Sequence, residues 1–135
     1  MTDPFTTIRL ADAATVQAPD GSTVRPLCAL SGLGSFAHFQ LEPGEVAKAV
    51  SHATVHEIWY VVGGAGEMWR RQAGREETVV LRAGVCLTIP LGCSFQFRSA
   101  GGEDPLQVVA VTMPPWPVDS PEEARTEPGP WRSTF

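Results

Sequence analysis

The sequence predicts an all-β fold, an antiparallel sandwich or barrel, on three observations. Short runs of β-branched and aromatic residues recur along the chain, and turns rich in glycine and proline separate them at close, regular intervals. No stretch carries the apolar period of a helix. The densest stretch is 44–66 (GEVAKAVSHATVHEIWYVVGGAG), which sets His52, His56 and Glu57 beside a strongly strand-forming run.

Residues 1–22 read as an N-terminal arm with one short strand near 7–10 and a turn composition at 19–22. TVRPLCAL at 23–30 is a strand whose Pro26 favours an edge. A Gly-containing turn follows, then a strand at 35–41 and a turn at 42–44. Ile58 to Val62 are β-branched or aromatic and fit a pleated, half-buried surface. Gly63-Gly64-Ala65-Gly66 then turns the chain into the return strand EMWRR. Further strands are expected at 78–81, 85–89, 95–98 and 106–112, with the second and third forming a hairpin around Pro90-Leu91-Gly92. From Met113 onward the proline density excludes regular helix or sheet for most of the tail. Trp116 and Trp131 in that tail read as anchors docked on the barrel or on a second subunit. SPEEA at 120–124 reads as one helical turn with a serine cap. The expected division is therefore an arm (1–22), a barrel (23–113) and a tail (114–135).

A chain of 135 residues suits one domain, and 43% hydrophobic residues is ordinary for a globular protein. The net charge of −5 argues against nucleic acid and against an anionic membrane surface. No apolar run approaches the ~20 residues of a membrane span, and the first residues lack the basic and apolar segments of a signal peptide. A cytoplasmic protein is expected. Three cysteines, Cys28, Cys86 and Cys93, show neither dense pairing nor metal spacing. Cys28 and Cys86 are expected as small core hydrophobes, and Cys93 as a turn residue.

Alternation along strands selects the candidate site. Glu57, Trp59 and Val61 share one face, with His56 and Ile58 on the other. Val50 and His52 share a face one strand earlier, so His52 and Glu57 can meet across a short turn. A histidine and a carboxylate inside a barrel bind a metal, each other or a ligand.

The pattern resembles the first motif of the cupin superfamily, G-x5-H-x-H-x3-4-E-x6-G, with Gly44, His52, Glu57 and Gly64 in place and Val50 at the first histidine position. GVCLTIPLGCSFQFRS is similar to the second motif, G-x5-P-x-G-x2-H-x3-N. Gly84, Pro90 and Gly92 match, while Phe95 and Ser99 stand where histidine and asparagine belong. The resemblance covers about residues 23–113. It implies a double-stranded β-helix, a jelly-roll barrel, that acts on or binds a small molecule, commonly as a homodimer. It also implies one divalent transition metal, here on His52 and Glu57 with His38 as a third ligand if that strand turns it inward. Three readings stay open. One is a metal-dependent enzyme of dioxygenase, isomerase or decarboxylase type. Another is a metal-free enzyme with His52 as general base oriented by Glu57. The third is a non-catalytic ligand-binding barrel. Trp59, Phe95, Phe97, His38, Glu67 and Trp69 are the candidate substrate-binding residues, and Phe95 with Phe97 would make an apolar, aromatic floor suited to a hydrophobic or aromatic small molecule.

Overall fold

The computed structural model describes residues 2–135. Among the described residues, eleven strands form two antiparallel sheets. Sheet A contains β1 (Val16–Gln17), β2 (Thr23–Leu30), β3 (Gly34–Leu41), β10 (Leu106–Met113), β5 (His56–Gly63) and β8 (Cys86–Ile89), in that order. Sheet B is ordered β11 (Ala124–Thr126), β4 (Val50–His52), β9 (Ser94–Ser99), β6 (Ala65–Gln72) and β7 (Arg75–Arg82). Consecutive strands repeatedly change sheet, as in a jelly roll.

The strands expected between 23 and 112 form. The one expected at 7–10 does not: a 3-10 turn at Leu10–Asp12 and the two-residue β1 stand in the arm instead. The helical turn of the tail is a 3-10 turn at Pro121–Glu123, and Ser120 makes no side-chain cap bond there.

One face of each sheet turns inward. Trp59 and Val61 from β5 meet Met68, Phe97 and Phe95 from β6 and β9, with Leu41, Leu81, Ile89, Leu106 and Val108 around them. Each large side chain buried this way contributes about 1.5–3 kcal/mol. Trp59 stacks on Phe39 at 5.5 Å and meets Phe97 edge-on at 4.9 Å. Trp59 and Phe97 are thus core residues first.

The tail is bonded to sheet B. Glu127 donates its backbone N–H to the Ala49 carbonyl, and the Thr134 N–H reaches the Val46 carbonyl. The Gln96 side chain donates to the Trp131 carbonyl (2.9 Å) and accepts from its N–H (3.1 Å). The Trp131 ring lies 4.0 Å from the Arg98 guanidinium, a cation–π contact. Gln96 and Arg98 point away from the core, so residues 129–134 cover the outer face of sheet B.

Gly64 turns β5 into β6 with φ +73°, and a Cβ there would collide with the Pro105 carbonyl. Gly64→Ala should therefore cost at least the about 1–3 kcal/mol of a strained conformation. A lowered thermal unfolding midpoint is expected, and an unchanged one contradicts this account of the turn.

Candidate functional site

His52 and Glu57 come from neighbouring chain segments on opposite sheets. Alternation turns His52 inward beside Val50, and Glu57 inward beside Trp59 and Val61. Both are nearly dry, at 6% and 3% exposure. Their closest approach is His52 Nδ1 to Glu57 Oε1 at 3.8 Å, too long for a hydrogen bond.

Glu57 is held by other groups. Its Oε1 accepts from Trp59 Nε1 (3.0 Å) and its Oε2 from Thr112 Oγ1 (2.6 Å). Thr112 sits opposite Glu57 in the register of β10 and β5. His52 has no such support: its Nδ1 is the buried side-chain polar atom without a hydrogen-bond partner among the described residues. The imidazole instead meets two aromatic rings edge-on, Phe95 at 5.2 Å and Trp116 at 5.3 Å. A buried polar atom without a partner costs about 1–3 kcal/mol.

Two carboxylates missed in the sequence stand near His52. Glu123, from the 3-10 turn of the tail, accepts from the N–H groups of Ala53 (2.5 Å) and Thr54 (2.7 Å) and from Thr54 Oγ1. It thereby caps the turn joining β4 to β5. Burial pushes its carboxyl up, but the bonds from Thr54 and Ala53, with the field of His52, outweigh that and hold it below the ordinary range. Asp20, behind the first turn, shows the opposite balance. Burial raises it, and bonds from Ser22 with the field of His52 offset only part. Trp116, read from sequence only as an anchor, covers the imidazole and donates its backbone N–H to Ser35 Oγ.

The other predicted residues do not join this centre. His38 lies on the outer face of sheet A between Arg25 (3.5 Å) and Gln107 (3.0 Å). Its neighbours Phe39 and Leu41 take the inward positions, because bulk apolar side chains win the core phase of β3. Desolvation lowers the His38 pKa, Gln107 opposes this, and Arg25 adds to it. Glu67 and Trp69 also face outward. Met68 takes the core side of β6, Glu67 pairs with Arg98 at 2.6 Å, and Trp69 donates to Glu76 at 2.7 Å. His56 is outward too, accepting from the Leu91 N–H. Cys28 and Cys86, expected in the core, are exposed, whereas Cys93 is a turn residue as expected, its N–H on the Pro90 carbonyl and its side chain buried.

A divalent metal needs three or more donors in reach. Among the described residues no group of three histidine, cysteine, aspartate or glutamate side chains is placed to hold one. Both Glu57 oxygens already accept from N–H and O–H groups, and Phe95 fills the corner beside His52. The donor set does not fit a metal.

A family model for the cupin domain matches residues 37–112. No curated protein matches the sequence. Among solved structures, Streptomyces PAC13 with uridine is similar at TM-score 0.71 and 14% identity, over 93% of this chain and 92% of that one. The capsular polysaccharide assembling protein CapF from Staphylococcus aureus matches at TM-score 0.71 and 14% identity, over 84% of this chain. Oxalate decarboxylase from Bacillus subtilis matches at 0.65 and 16%, over 82%. The chain spans only 34% of CapF and 30% of the decarboxylase.

The Glu123 cap makes a signed prediction. Its native pKa lies below the ordinary 4.5, so its stabilisation is complete above that value and is lost as pH falls through the lowered native pKa. Glu123→Gln should lower stability by about 1.5–3 kcal/mol near neutrality, and the gap to wild type should close in acid. Urea unfolding at both pH values checks this. A gap that persists in acid would place the effect on packing instead.

Proposed function

This chain belongs to the cupin family through residues 37–112, and from that premise we propose that it binds, and at His52 converts, a small cyclic organic molecule without a metal. The observation that carries this reading is the unpartnered Nδ1 of His52, 94% buried and 3.8 Å from a carboxylate that is fully satisfied elsewhere. A ligand hydroxyl or ring N–H that meets this nitrogen supplies the missing hydrogen bond and recovers its cost. Phe95 supplies an apolar wall beside it, and Trp116 covers it. Histidine suits proton transfer because its unperturbed pKa lies near neutrality. Glu57, fixed by Trp59 and Thr112, then stands as a stationary negative charge beside the imidazolium that would form.

Trp116 must move to admit a ligand. Its ring closes over His52, and the segment that carries it leaves the barrel wall after Met113 and returns to it at Glu123 and β11. Between these points Val118 is 83% exposed, so the stretch holds few contacts that resist opening. The likeness to PAC13, solved with uridine and matched over nearly its whole length, supports a nucleoside-sized ring as the first ligand to try. The protein acts in this reading as a homodimer.

Uridine and a panel of small cyclic hydroxy compounds, screened by thermal shift, test the reading. A ligand at about 100 times its Kd stabilises by about 2.7 kcal/mol. His52→Ala should abolish that stabilisation, and Trp116→Ala should keep it and speed association. Binding that survives His52→Ala overturns the reading.

A further inference from the structure

We infer that the end of the β6–β7 hairpin carries a second binding site, one for a small oxyanion such as a carboxylate or a phosphoryl group. The inward face of this hairpin changes character along its ladder. Leu81 and the opposed pair Met68 and Val79 lie in the core. The next two pairs on the same face are Arg70 with Glu77 and Gln72 with Arg75. Arg70 also stands opposite Phe95 of β9, a core residue. From that position its Nη1 crosses to sheet A and donates to the Thr88 carbonyl of β8 at 2.8 Å. This bridge borders a half-open cavity of about 130 Å³, whose walls include Arg70, Gln72, Arg75, Glu77, Thr88 and Cys93. A water takes about 30 Å³ of liquid volume, so the space suits roughly four waters or one acetate or phosphate.

The charges in this cavity do not balance. Arg75 donates to Glu77 Oε2 at 2.7 Å, whereas Arg70 Nη2 stands 3.7 Å from Glu77 Oε1, within ion-pair range and beyond a hydrogen bond. Two guanidiniums thus share one carboxylate, which leaves a net +1 here in a chain of net −5. Among the described residues Arg70 makes no hydrogen bond besides the one to Thr88, and its side chain is only 22% exposed. An oxyanion that meets the free edge of a guanidinium held in this way gains charge-assisted hydrogen bonds to a group already positioned.

The neighbouring thiol does not take that role. Burial pushes the Cys93 thiol above its ordinary pKa, and the charge of Arg70 with the Arg71 N–H offsets only part of this. Cys93 is therefore neutral near pH 7 and leaves the guanidinium without a second counter-charge. Arg71 shows the contrast on the same strand. It lies over the Trp69 ring on the outer face, where Trp69 donates to Glu76. The site is also distinct from His52, since β9 separates β4 from β6 in sheet B. The inference does not depend on the reading of His52.

NMR titration of the arginine Nε–Hε and backbone resonances with sodium phosphate and with sodium acetate, at constant ionic strength, tests it. At least one of the two should bind with a Kd of about 1 mM, with the largest shifts at Arg70. Tighter phosphate assigns the site to a phosphoryl group, and tighter acetate to a carboxylate. Arg70→Gln should weaken binding at least about tenfold. Glu77→Gln removes the competing carboxylate and should tighten it by about threefold or more. Arg71→Gln, which deletes an equal charge from the outer face, should change the Kd by less than about twofold, and His52→Ala should leave it unchanged. Binding of neither anion at about 50 mM overturns the inference. So does a loss in Arg71→Gln equal to that in Arg70→Gln, or weaker binding in Glu77→Gln. Should far-UV circular dichroism show Arg70→Gln unfolded, the direction of the change in Glu77→Gln decides.

Discussion

A carboxylate in an apolar barrel needs hydrogen-bond donors, and the way Glu57 finds them governs the rest of the site. Its two oxygens take Trp59 Nε1–H from its own strand and Thr112 Oγ1–H from the strand beside it. Both donors are fixed: Trp59 is clamped between Phe39 and Phe97, and Thr112 is set by the register of β10. Because Glu57 is satisfied by these neutral groups, it has no need of His52 and is poorly disposed to a metal. The imidazole nitrogen is left over. Val50 and Phe95 place apolar bulk beside His52, and the Glu57 carboxylate is absorbed into the barrel wall.

The tail completes what the barrel leaves open. β11 extends sheet B past His52, with Ala124 opposite it, and Glu123 ties down the turn that separates His52 from Glu57. Trp116 covers the imidazole, and Trp131 covers the far side of the same sheet. A segment too rich in proline to form its own sheet or helix therefore acts as a strap. It is firmly bonded at 123–127 and 131–134, holds Trp116 to Ser35 and His52, and is sparsely held from 117 to 122. Stability and access to the site are carried by different parts of one strap.

Much of this was legible in the sequence, and the failures share a cause. The strand run after Glu57 has an unambiguous phase, because Trp59 and Val61 outweigh the alternative face, and Glu57 lies inward with them. In β3 and β6 both faces carry large side chains. Phe39 and Leu41 compete with His38, and Met68 competes with Trp69. The outer face offered His38 cover from Arg25 and Gln107, and it offered Trp69 cover from Arg71 and Glu76. Local alternation cannot reveal such cover, since Gln107 is remote in sequence from His38. The same holds for Glu123 and Thr112, whose partners lie far along the chain. A proline-at-N1 turn with two glutamates signalled a helical start, but nothing local showed that one of them reaches back to residues 53 and 54.

The central claim is that His52 Nδ1 is buried and shares no proton with the protein. Proton and ¹⁵N spectra of the imidazole rings test it directly, because the chain has only three histidines, and of the other two His38 is bonded to Gln107 beneath Arg25 and His56 is exposed. The account predicts no strongly downfield proton resonance on His52 Nδ1 in the ligand-free protein, and a His52 spectrum unaltered by Glu57→Gln in its hydrogen-bonding signature. A downfield proton on that nitrogen that disappears in Glu57→Gln would show the pair sharing a hydrogen bond, and would contradict the account.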